Sequence, residues 1–578
     1  MKAGLTALAV AASFVAAACG GSSTGGTGGS AGSGGQGATA GSGGTGGGPA
    51  GPRKLDVLLV VDNSISMGDK QAHLAQSLPS FFQRLINPRC VDSGGKPTGE
   101  SHPCPAGSQV ELEPARDLHV GVITSSLGSL GGETCSSGAV GQDDKGRLIP
   151  AVRAGLSSHE GQGFLAWDSQ ANPQASLSEF VDSVRSHVNA VGETGCGYES
   201  PLEAMYRFLI DPQPPDAVVK EGSFTTALRC QGEGLPCGAN GTCINTFCAD
   251  NVVLAQRQSF LRPDSTVVVV LLSDENDCSL RADGQSWLMT LASTGLPAAT
   301  PACETDPDSP LCTSCGVGGS GCEGQTHPSA ADHLNLRCWE QKRRFGADFL
   351  YPPSRYVEGL KSPTITGRDG APTWNPLFAT GGGVSRDPSL VLLATIVGVP
   401  WQLIAHPASV APGEVLAYQH ATQIDWSQLT KNGHTPAGSV YMHESNAPRW
   451  GLPTFATPNA DAIVGHDWDI AAAGGSSGPG DLQFACIFPL IAPRDCASVT
   501  GGCDCSVAGV YGQSPLCWSG TEFSSVQHYA KAYPGLRQLE VVRDTMGVAA
   551  SICPKSNDSS TPGYGYHPAF DAIIERLR

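Results

Sequence analysis

The chain has little positive charge and no long run of it. Its 35 lysines and arginines are outnumbered by 53 aspartates and glutamates, which gives a formal net charge of −18 at pH 7. Proteins that bind nucleic acid or anionic membrane surfaces concentrate Lys and Arg in runs or patches, and the longest basic run in the sequence is only three residues, 342–344. The composition therefore argues against nucleic acid and against electrostatic membrane binding, and it is compatible with divalent cations.

Recognisable catalytic motifs are also missing. The 14 histidines are scattered, and His443-Glu444 lacks the second histidine of the zinc-protease helix motif. Matches to G-x-S-x-G occur in the glycine-rich region 20–52 and at 474–478, but none follows an apolar strand, as a nucleophile elbow requires. We therefore expect a protein that is not an enzyme, and a secreted hydrolase is the weakest alternative.

The apolar stretch at the N-terminus is too short to span a membrane. Met1-Lys2 precedes apolar residues 3–18, and this combination of a positive start and a short apolar core is typical of an export signal. Residues 16–19, AAAC, resemble a bacterial lipobox, which implies that Cys19 becomes the lipidated N-terminus. The alternative is an ordinary signal peptide cut near Ala18. We expect an exported protein held in the cell envelope by its lipid, in the outer membrane, on either its periplasmic or its surface face.

A low-complexity segment follows the predicted lipidation site. Residues 20–52 are almost wholly Gly, Ser, Thr and Ala, so they cannot bury apolar surface and should behave as a flexible tether. Their root-mean-square reach is roughly 30 Å for a flexible chain of this length. We therefore assign residues 1–18 to a lipoprotein signal peptide and residues 19–52 to a flexible linker.

Cysteine, unlike positive charge, is abundant. The chain has 21 cysteines, and 20 remain once Cys19 is assigned to the lipid. In an exported protein the default state of such residues is the disulfide. Cys312-x-x-Cys315 could suggest zinc, but no pair of histidines is suitably spaced around it. We expect structural disulfides whose pairing the sequence does not determine.

The most informative pattern is an apolar run that ends in oxygen-bearing side chains. Residues 55–66 read LDVLLVVDNSIS, and a run without a polar face is typical of a central parallel strand covered on both sides. Ligands of such sheets bind at the carboxyl ends of the strands, where Asp62, Ser64 and Ser66 follow with D-x-S-x-S spacing. One carboxylate plus hydroxyls suits Mg²⁺, which prefers oxygen ligands and keeps several waters. The alternative is a polar turn that only caps the next helix.

A second apolar run also ends in an acid. Residues 265–274 read STVVVVLLSD, so Asp274 should lie at the tip of a neighbouring strand and reach the same ion directly or through water. A glycine-rich loop between the two runs leads into a helix, and Thr194 in that loop can supply another hydroxyl. Glu199 or Ser200 could substitute for Thr194, because the loop is long.

The acids that follow the second run allow one more interpretation. Asp277 lies three residues beyond Asp274 and could hold a second cation with it. Acidic residues are also common at helix N-termini, where they interact favourably with the helix dipole. We favour the helix interpretation.

The order acid-Ser-Ser, then Thr, then acid resembles the von Willebrand factor A domain and its metal-ion-dependent adhesion site. The resemblance implies a Rossmann-like α/β fold, with a central, mostly parallel sheet flanked by helices. It also implies a site for Mg²⁺, or for Mn²⁺ or Ca²⁺, that is formed by Asp62, Ser64, Ser66, Thr194 and Asp274. Lipid-anchored proteins of this family in Gram-negative bacteria use the domain as a binding module, in which a carboxylate of a protein partner completes the metal shell. We therefore expect divalent-cation-dependent protein binding or adhesion; a structural envelope protein with a stabilising metal is the alternative.

Other segments have patterns that fit around the same sheet. Residues 117–125 and 389–404 read as strands, and a capping box at Ser176 predicts the start of a helix. A helical pattern also covers 69–86, although Pro79 should kink or split it.

These patterns predict one elaborated domain rather than several simple ones. Pro568 suits the first turn of a last helix. We expect the von Willebrand A core to span 53–405, with cysteine-rich insertions at 230–248 and 279–385. The remainder would be a cysteine-containing insertion or C-terminal subdomain at 406–565 and a closing helix of the core at 566–578.

Overall fold

The structure, a computed structural model, describes residues 53–578 except 137, 323–324, 328–331, 381–382, 471–479, 500–501 and 507–511. The predicted signal peptide, Cys19 and the linker therefore lie outside the described residues. The described residues belong to one compact unit. Among the helices of the described part, none is long and apolar enough to cross a membrane.

A six-stranded sheet forms the centre of the fold. In chain order its strands are β1 (Arg53–Val61), β2 (Ala115–Thr124), β3 (Leu165–Asp168), β4 (Thr266–Ser273), β5 (Val391–Val397) and β6 (Val548–Ser551). Their spatial order is β6-β5-β4-β1-β2-β3, and β3 alone among these six runs antiparallel to its neighbour. The predicted α/β class with a mostly parallel central sheet is confirmed.

Helices cover this sheet. In the described residues, those of nine residues or more are α1 (Gly68–Ile86), α2 (Leu177–Asn189), α3 (Pro201–Leu209), α4 (Asn251–Phe260), α5 (Pro353–Lys361), α6 (Leu536–Thr545) and α7 (His567–Arg576). Shorter helices span Ala302–Thr305, Gln341–Phe345 and Trp401–Ile404. Contacts divide the longer helices into two groups, α2-α1-α7 and α4-α3-α5-α6, as expected for a parallel sheet covered on both faces.

Three of the helix predictions can be compared directly with the structure. Ser176 caps α2, because its hydroxyl accepts a hydrogen bond from the backbone N–H of Glu179 at 3.3 Å. The closing helix α7 carries proline in its first turn, and the ring of Phe570 stacks on Phe81 of α1 at 4.4 Å between centroids. The expected split at Pro79 does not occur: α1 continues through it, since its apolar face is buried on both sides of the proline.

The last two strands differ from the sequence expectation. The run at 389–404 is a strand only over Val391–Val397, after which Trp401–Ile404 forms a short helix. The edge strand β6 and the helix α6 both come from the segment 406–565, which the sequence interpretation assigned to an insertion or subdomain. Four small residues, VAAS, form β6, and so short a run gives no periodic signal.

Small hairpins and disulfides make up much of the remaining chain. The strands outside the central sheet are Arg89–Val91, Pro97–Ser101, Gln109–Val110, Val218–Glu221, Phe224–Ala227, Pro236–Cys237, Gly241–Ile244, Phe247–Asp250, Thr364–Thr366, Pro372–Trp374, Ala379–Thr380, Gly383–Val384, Cys486–Asp495 and Val526–Ala532. The disulfides are Cys90–Cys104, Cys135–Cys196, Cys230–Cys243, Cys237–Cys248, Cys278–Cys338, Cys303–Cys312, Cys315–Cys322, Cys486–Cys553, Cys496–Cys503 and Cys505–Cys517. The prediction of structural disulfides is confirmed, and Cys312 and Cys315 belong to two different ones.

Candidate metal centre

The strand order reverses between β1 and β4, and the predicted acids lie at that point. From this boundary the chain adds β2 and β3 on one side and β5 and β6 on the other. Ligands of open α/β sheets bind in the crevice at such a switch point, outside the carboxyl ends of the strands. Val61 pairs with Leu272, so Asp62 and Asp274 leave the sheet close together, and both are fully buried.

Two hydroxyl groups and one backbone amide, from the ends of three strands, hold the carboxylate of Asp62. Its Oδ2 accepts a hydrogen bond from the hydroxyl of Ser273 at 2.7 Å, and its Oδ1 lies 3.4 Å from the hydroxyl of Ser125. The backbone N–H of Ser64 also donates to Oδ1, at 2.8 Å. This carboxylate is therefore fixed in position, and none of the described Lys, Arg or His side chains forms an ion pair with it.

The carboxylate of Asp274 is only half satisfied. Its Oδ2 accepts from the hydroxyl of Ser66 at 2.8 Å and lies 2.9 Å from the ammonium of Lys70. Its Oδ1 is buried and has no hydrogen-bond partner among the residues that the structure describes, which is costly for a charged oxygen. The hydroxyl oxygens of Ser64 and Ser66 are 3.4 Å apart, so two acids and two hydroxyls meet at one place.

The pKa values of the surrounding carboxyls are raised. Burial, with a further contribution from the charge of Asp274, raises the pKa of Asp62 to about 6, despite hydrogen bonds from Ser64 and Ser273 that oppose the shift. Burial and the charges of Asp274 and Asp62 raise the pKa of Glu275 to about 8. The neighbouring acids therefore repel one another, and the surrounding side chains compensate only part of that repulsion.

Glu199 belongs to the same cluster. Burial, followed by the charges of Glu275 and Asp62, raises the pKa of Glu199 well above its usual value. Glu199 is 2% exposed. Of the two substitutes considered for Thr194, it is the one that approaches the acids, because the hydroxyl of Ser200 is used by the carbonyl oxygens of Tyr198 and Cys278.

Thr194 lies near the site but is turned to a different neighbour. Its loop crosses the turn after β1, where the N–H of Gly195 donates to the carbonyl oxygen of Asn63 at 2.7 Å. The Thr194 side chain is exposed and its Oγ1 lies against Gly141. Among the described residues, no hydrogen bond joins Thr194 to the other four predicted ligands, and its role as a ligand stays a prediction.

Asp277 has a structural role at the start of α3. Its Oδ1 accepts from the backbone N–H of Leu202 at 3.1 Å and from the hydroxyl of Ser279 at 2.7 Å, while its Oδ2 lies 3.3 Å from Arg537 Nε. These contacts occupy both oxygens. The favoured interpretation, in which these acids begin a helix of their own, is wrong, because residues 274–279 form no helix; Asp277 instead accepts at the N-terminus of α3, which belongs to another segment.

Two disulfides hold the loops that carry Glu199 and Asp277. The bonds Cys135–Cys196 and Cys278–Cys338 flank these acids in the chain. The N–H of Cys278 donates to the carbonyl oxygen of Glu199 at 2.8 Å, so the two loops are also joined directly. The insertions thus stabilise the walls of the site.

The donors present suit a hard cation. Among the described residues, no three His, Cys, Asp or Glu side chains are grouped so as to hold a metal ion. Two carboxylates, together with hydroxyls and water, are a suitable set of oxygen ligands for Mg²⁺. The Oδ1 of Asp274, which has no hydrogen-bond partner among the described residues, could serve as one of these ligands. Sequence reasoning missed Ser125, Ser273 and Lys70; the first two could have been found as hydroxyl residues at strand ends.

Comparison with known proteins adds no relative. No protein-family model matches the chain, and neither does any curated protein or solved structure. The resemblance to the von Willebrand A domain therefore depends on the motif residues themselves and stays a prediction.

Proposed function

We propose that Asp62, Ser64, Ser66 and Asp274 bind a divalent cation, and that the cation binds a carboxylate of a protein partner. Mg²⁺ suits these oxygen donors best, with Mn²⁺ or Ca²⁺ as alternatives. The observation that carries the proposal is the buried Oδ1 of Asp274, which has no hydrogen-bond partner in the described part of the chain and lies close to the fully buried Asp62. A divalent ion would supply that oxygen with a ligand bond and offset the repulsion between the two acids.

Two features favour a protein as the partner: the open positions in the metal shell and an exposed apolar side chain beside the site. The four side chains fill part of the octahedral shell of Mg²⁺, and the remaining positions are available to water or to an incoming carboxylate. Ile65, between the two ligand serines, is 57% exposed. An apolar side chain next to a coordination site offers the contact that a protein surface, rather than a free ion, would use.

A structural metal site is the second candidate, and the complete burial of Asp62 and Asp274 favours it. In that case the ion would stabilise the loops and leave no position for a partner. The two functions differ in whether the bound ion can accept an external carboxylate.

We further propose that the protein is exported and attached to the outer membrane through a lipid on Cys19. The ten disulfides support an oxidising compartment. Cys19→Ala should release the protein from the membrane fraction, and mass spectrometry of the N-terminal peptide should detect the lipid only in the wild type. Membrane attachment that persists in the variant contradicts the anchor.

The test of the cation site is a calorimetric titration of Mg²⁺, Mn²⁺ and Ca²⁺ into the metal-free, oxidised protein. We expect binding in the wild type and its loss in Asp62→Asn and Asp274→Asn. Asp56→Asn is the matched control, because Asp56 is equally buried but lies near the amino end of β1, whereas Asp62 follows its carboxyl end. Equal binding by all variants, or none by the wild type, overturns the proposal.

The test of partner binding uses peptides that differ only in one carboxylate. An aspartate-containing peptide library should be retained by the immobilised protein in Mg²⁺ but not in EDTA, and methyl esters of the same peptides should not be retained. If the peptides are retained equally well in EDTA and after esterification, the partner does not bind through a carboxylate on the metal. Cation binding without any retention favours the structural alternative.

A further inference from the structure

Lys70, in the first turn of α1, places an ammonium group inside the acidic cluster. Its Nζ lies 2.9 Å from Asp274 Oδ2 and 2.7 Å from the carbonyl oxygen of Ser66. The side chain is 2% exposed, and lysine is almost never buried to this extent unless it is paired. The N-terminal turn of a helix also disfavours positive charge, because the helix dipole is positive there. Both effects oppose a lysine here, so its contact with Asp274 is what stabilises it.

The ammonium contacts one of the oxygens that a bound cation needs. Asp274 Oδ2 receives both Lys70 and the hydroxyl of Ser66, whereas Asp274 Oδ1 has no hydrogen-bond partner among the described residues. A divalent ion held by Asp62 and Asp274 would lie close to Lys70 Nζ. Like charges at such a separation repel strongly in a poorly solvated site. The ammonium and the ion therefore cannot both keep this arrangement.

We propose that Lys70 is an internal counter-ion that competes with the divalent cation for Asp274, so that cation binding displaces its ammonium. The inference rests on the proposed function of the same site and describes its regulation. Without an ion, Lys70 offsets part of the repulsion between Asp62 and Asp274. With an ion, this contact is lost, and the affinity is lower than the oxygen donors alone would give.

A second carboxylate lies within electrostatic reach of the displaced ammonium. Asp504 pairs with Lys531 Nζ at 2.6 Å. Burial raises the pKa of the Asp504 carboxyl, but Lys531, with a smaller contribution from Lys70, brings it below its usual value. When the ion binds Asp274, the ammonium of Lys70 can therefore move towards the carboxylate of Asp504.

The same displacement would reach the strand Cys486–Asp495. Arg494 in this strand pairs with Asp69, the residue before Lys70, at 3.0 Å, and its N–H group donates to the carbonyl oxygen of Gly502 at 2.7 Å. A Cβ built on Gly502 would be 3.2 Å from the backbone oxygen of Ile65. Movement in the first turn of α1 is thus coupled to the segment beside the entrance to the site.

The test is a calorimetric titration of Mn²⁺ into the oxidised full chain and its Lys70→Met variant. Removing the competitor should tighten binding by at least about tenfold, since a single nearby charge is worth that much or more at partly buried sites. Lys70→Arg keeps the charge and should not show the tightening. Lys431→Met, which removes a lysine paired with Glu444 at 2.7 Å elsewhere, should leave the affinity near that of the wild type.

The outcomes separate this inference from the function on which it rests. If the wild type binds Mn²⁺ and Lys70→Met binds it equally well or more weakly, Lys70 does not compete with the cation, but the cation site itself is supported. Binding by Lys70→Met alone supports the competitor and overturns cation binding by the native chain. No binding by either protein overturns both. If Lys70→Met does not fold, Lys70→Gln, which keeps a donor for the Ser66 carbonyl, replaces it in the same comparison.

Discussion

Asp56 on β1 and Asp62 just after its last residue lie six positions apart, both fully buried, in opposite electrostatic surroundings. Asp56 receives Arg262 Nε at 2.8 Å and the backbone N–H of Arg262 at 2.9 Å, and Arg386 lies 4.0 Å away. Asp62 receives hydroxyl and amide donors and has Asp274 as its charged neighbour. The amino end of the strand has a complete ion-pair network, and the carboxyl end has an excess of acid.

The difference teaches which buried acid to regard as functional. A buried carboxylate paired with arginine contributes to folding as it stands, and removing one partner is what destabilises the protein. A carboxyl with a raised pKa in a crevice, without such a partner, is a candidate for ligand binding. Asp56 fits the first description and Asp62 the second.

The largest expected effect is the difference between neutralising Asp56 and neutralising Asp62 in the metal-free protein. Asp56→Asn leaves Arg262 and Arg386 without their buried counter-ion, so we expect a loss of about 3–5 kcal/mol in the free energy of unfolding. Asp62→Asn removes a repulsion, so the same quantity should stay level or rise. Urea unfolding in EDTA measures both, and a comparable loss in the two variants would contradict the comparison.

The pH dependence of stability should also differ between paired and unpaired acids. The pKa of Asp62 is raised to about 6, so the folded state holds this proton more tightly than the unfolded state does. Its contribution to stability is greatest in acid and declines as pH rises from about 4 to about 6, by about 3 kcal/mol at 1.36 kcal/mol per pH unit. The difference between wild type and Asp62→Asn in EDTA, measured from pH 4 to pH 7, isolates it.

Glu111 is the control for that measurement, because its shift has the opposite sign. Burial raises its pKa, but hydrogen bonds and charge from Arg84 override burial and lower it to about 2. Its stabilisation is therefore present above about pH 4.5 and is lost as pH falls towards 2. The difference between wild type and Glu111→Gln should grow as pH rises from about 2 to about 4.5, whereas the difference for Asp62 should decline as pH rises from about 4 to about 6. Trends of the same sign would show that at least one of the two carboxyls does not behave as its surroundings imply.

A divalent cation should stabilise the wild type and the Asp56 variant but not the Asp62 variant. A ligand that binds only the folded state adds about 2.7 kcal/mol at a concentration one hundred times its Kd. Thermal unfolding with and without Mg²⁺ should therefore show a rise in Tm for wild type and Asp56→Asn. A rise of equal size in Asp62→Asn would place the ion elsewhere in the molecule.

Much of the sheet could be predicted because its strands are long apolar runs. β1 and β4 were identified from sequence with the acids at their ends, and Ser176 and Pro568 marked helix starts correctly. The edge strand β6 is too short for its period to be read. The pairing of Cys135 with Cys196 depends on tertiary contact, which spacing alone does not encode.

The composition of the site was less accessible than its location. D-x-S-x-S identifies residues on one local turn, so Asp62, Ser64 and Ser66 are found together. Lys70 reaches Asp274 across 204 positions in the chain, and no local pattern indicates such a contact. The sequence indicates Glu199 only indirectly, through the length of the loop after Thr194.

The smallest predicted effect decides between the two loop residues as the remaining ligand. Glu199 is buried against Asp62 and Glu275, whereas Thr194 is exposed. Glu199→Gln should therefore weaken Mn²⁺ binding by about tenfold, the effect of losing one nearby negative charge in a partly buried site, and Thr194→Ala should change it less than about twofold by the same reasoning. Calorimetric titration of both variants, with Ser200→Ala as the control for the loop, makes the comparison. The opposite order of effects would mean that the loop turns on cation binding to present the Thr194 hydroxyl, as the von Willebrand A resemblance implies, and would place Glu199 among the acids that only shape the electrostatic field.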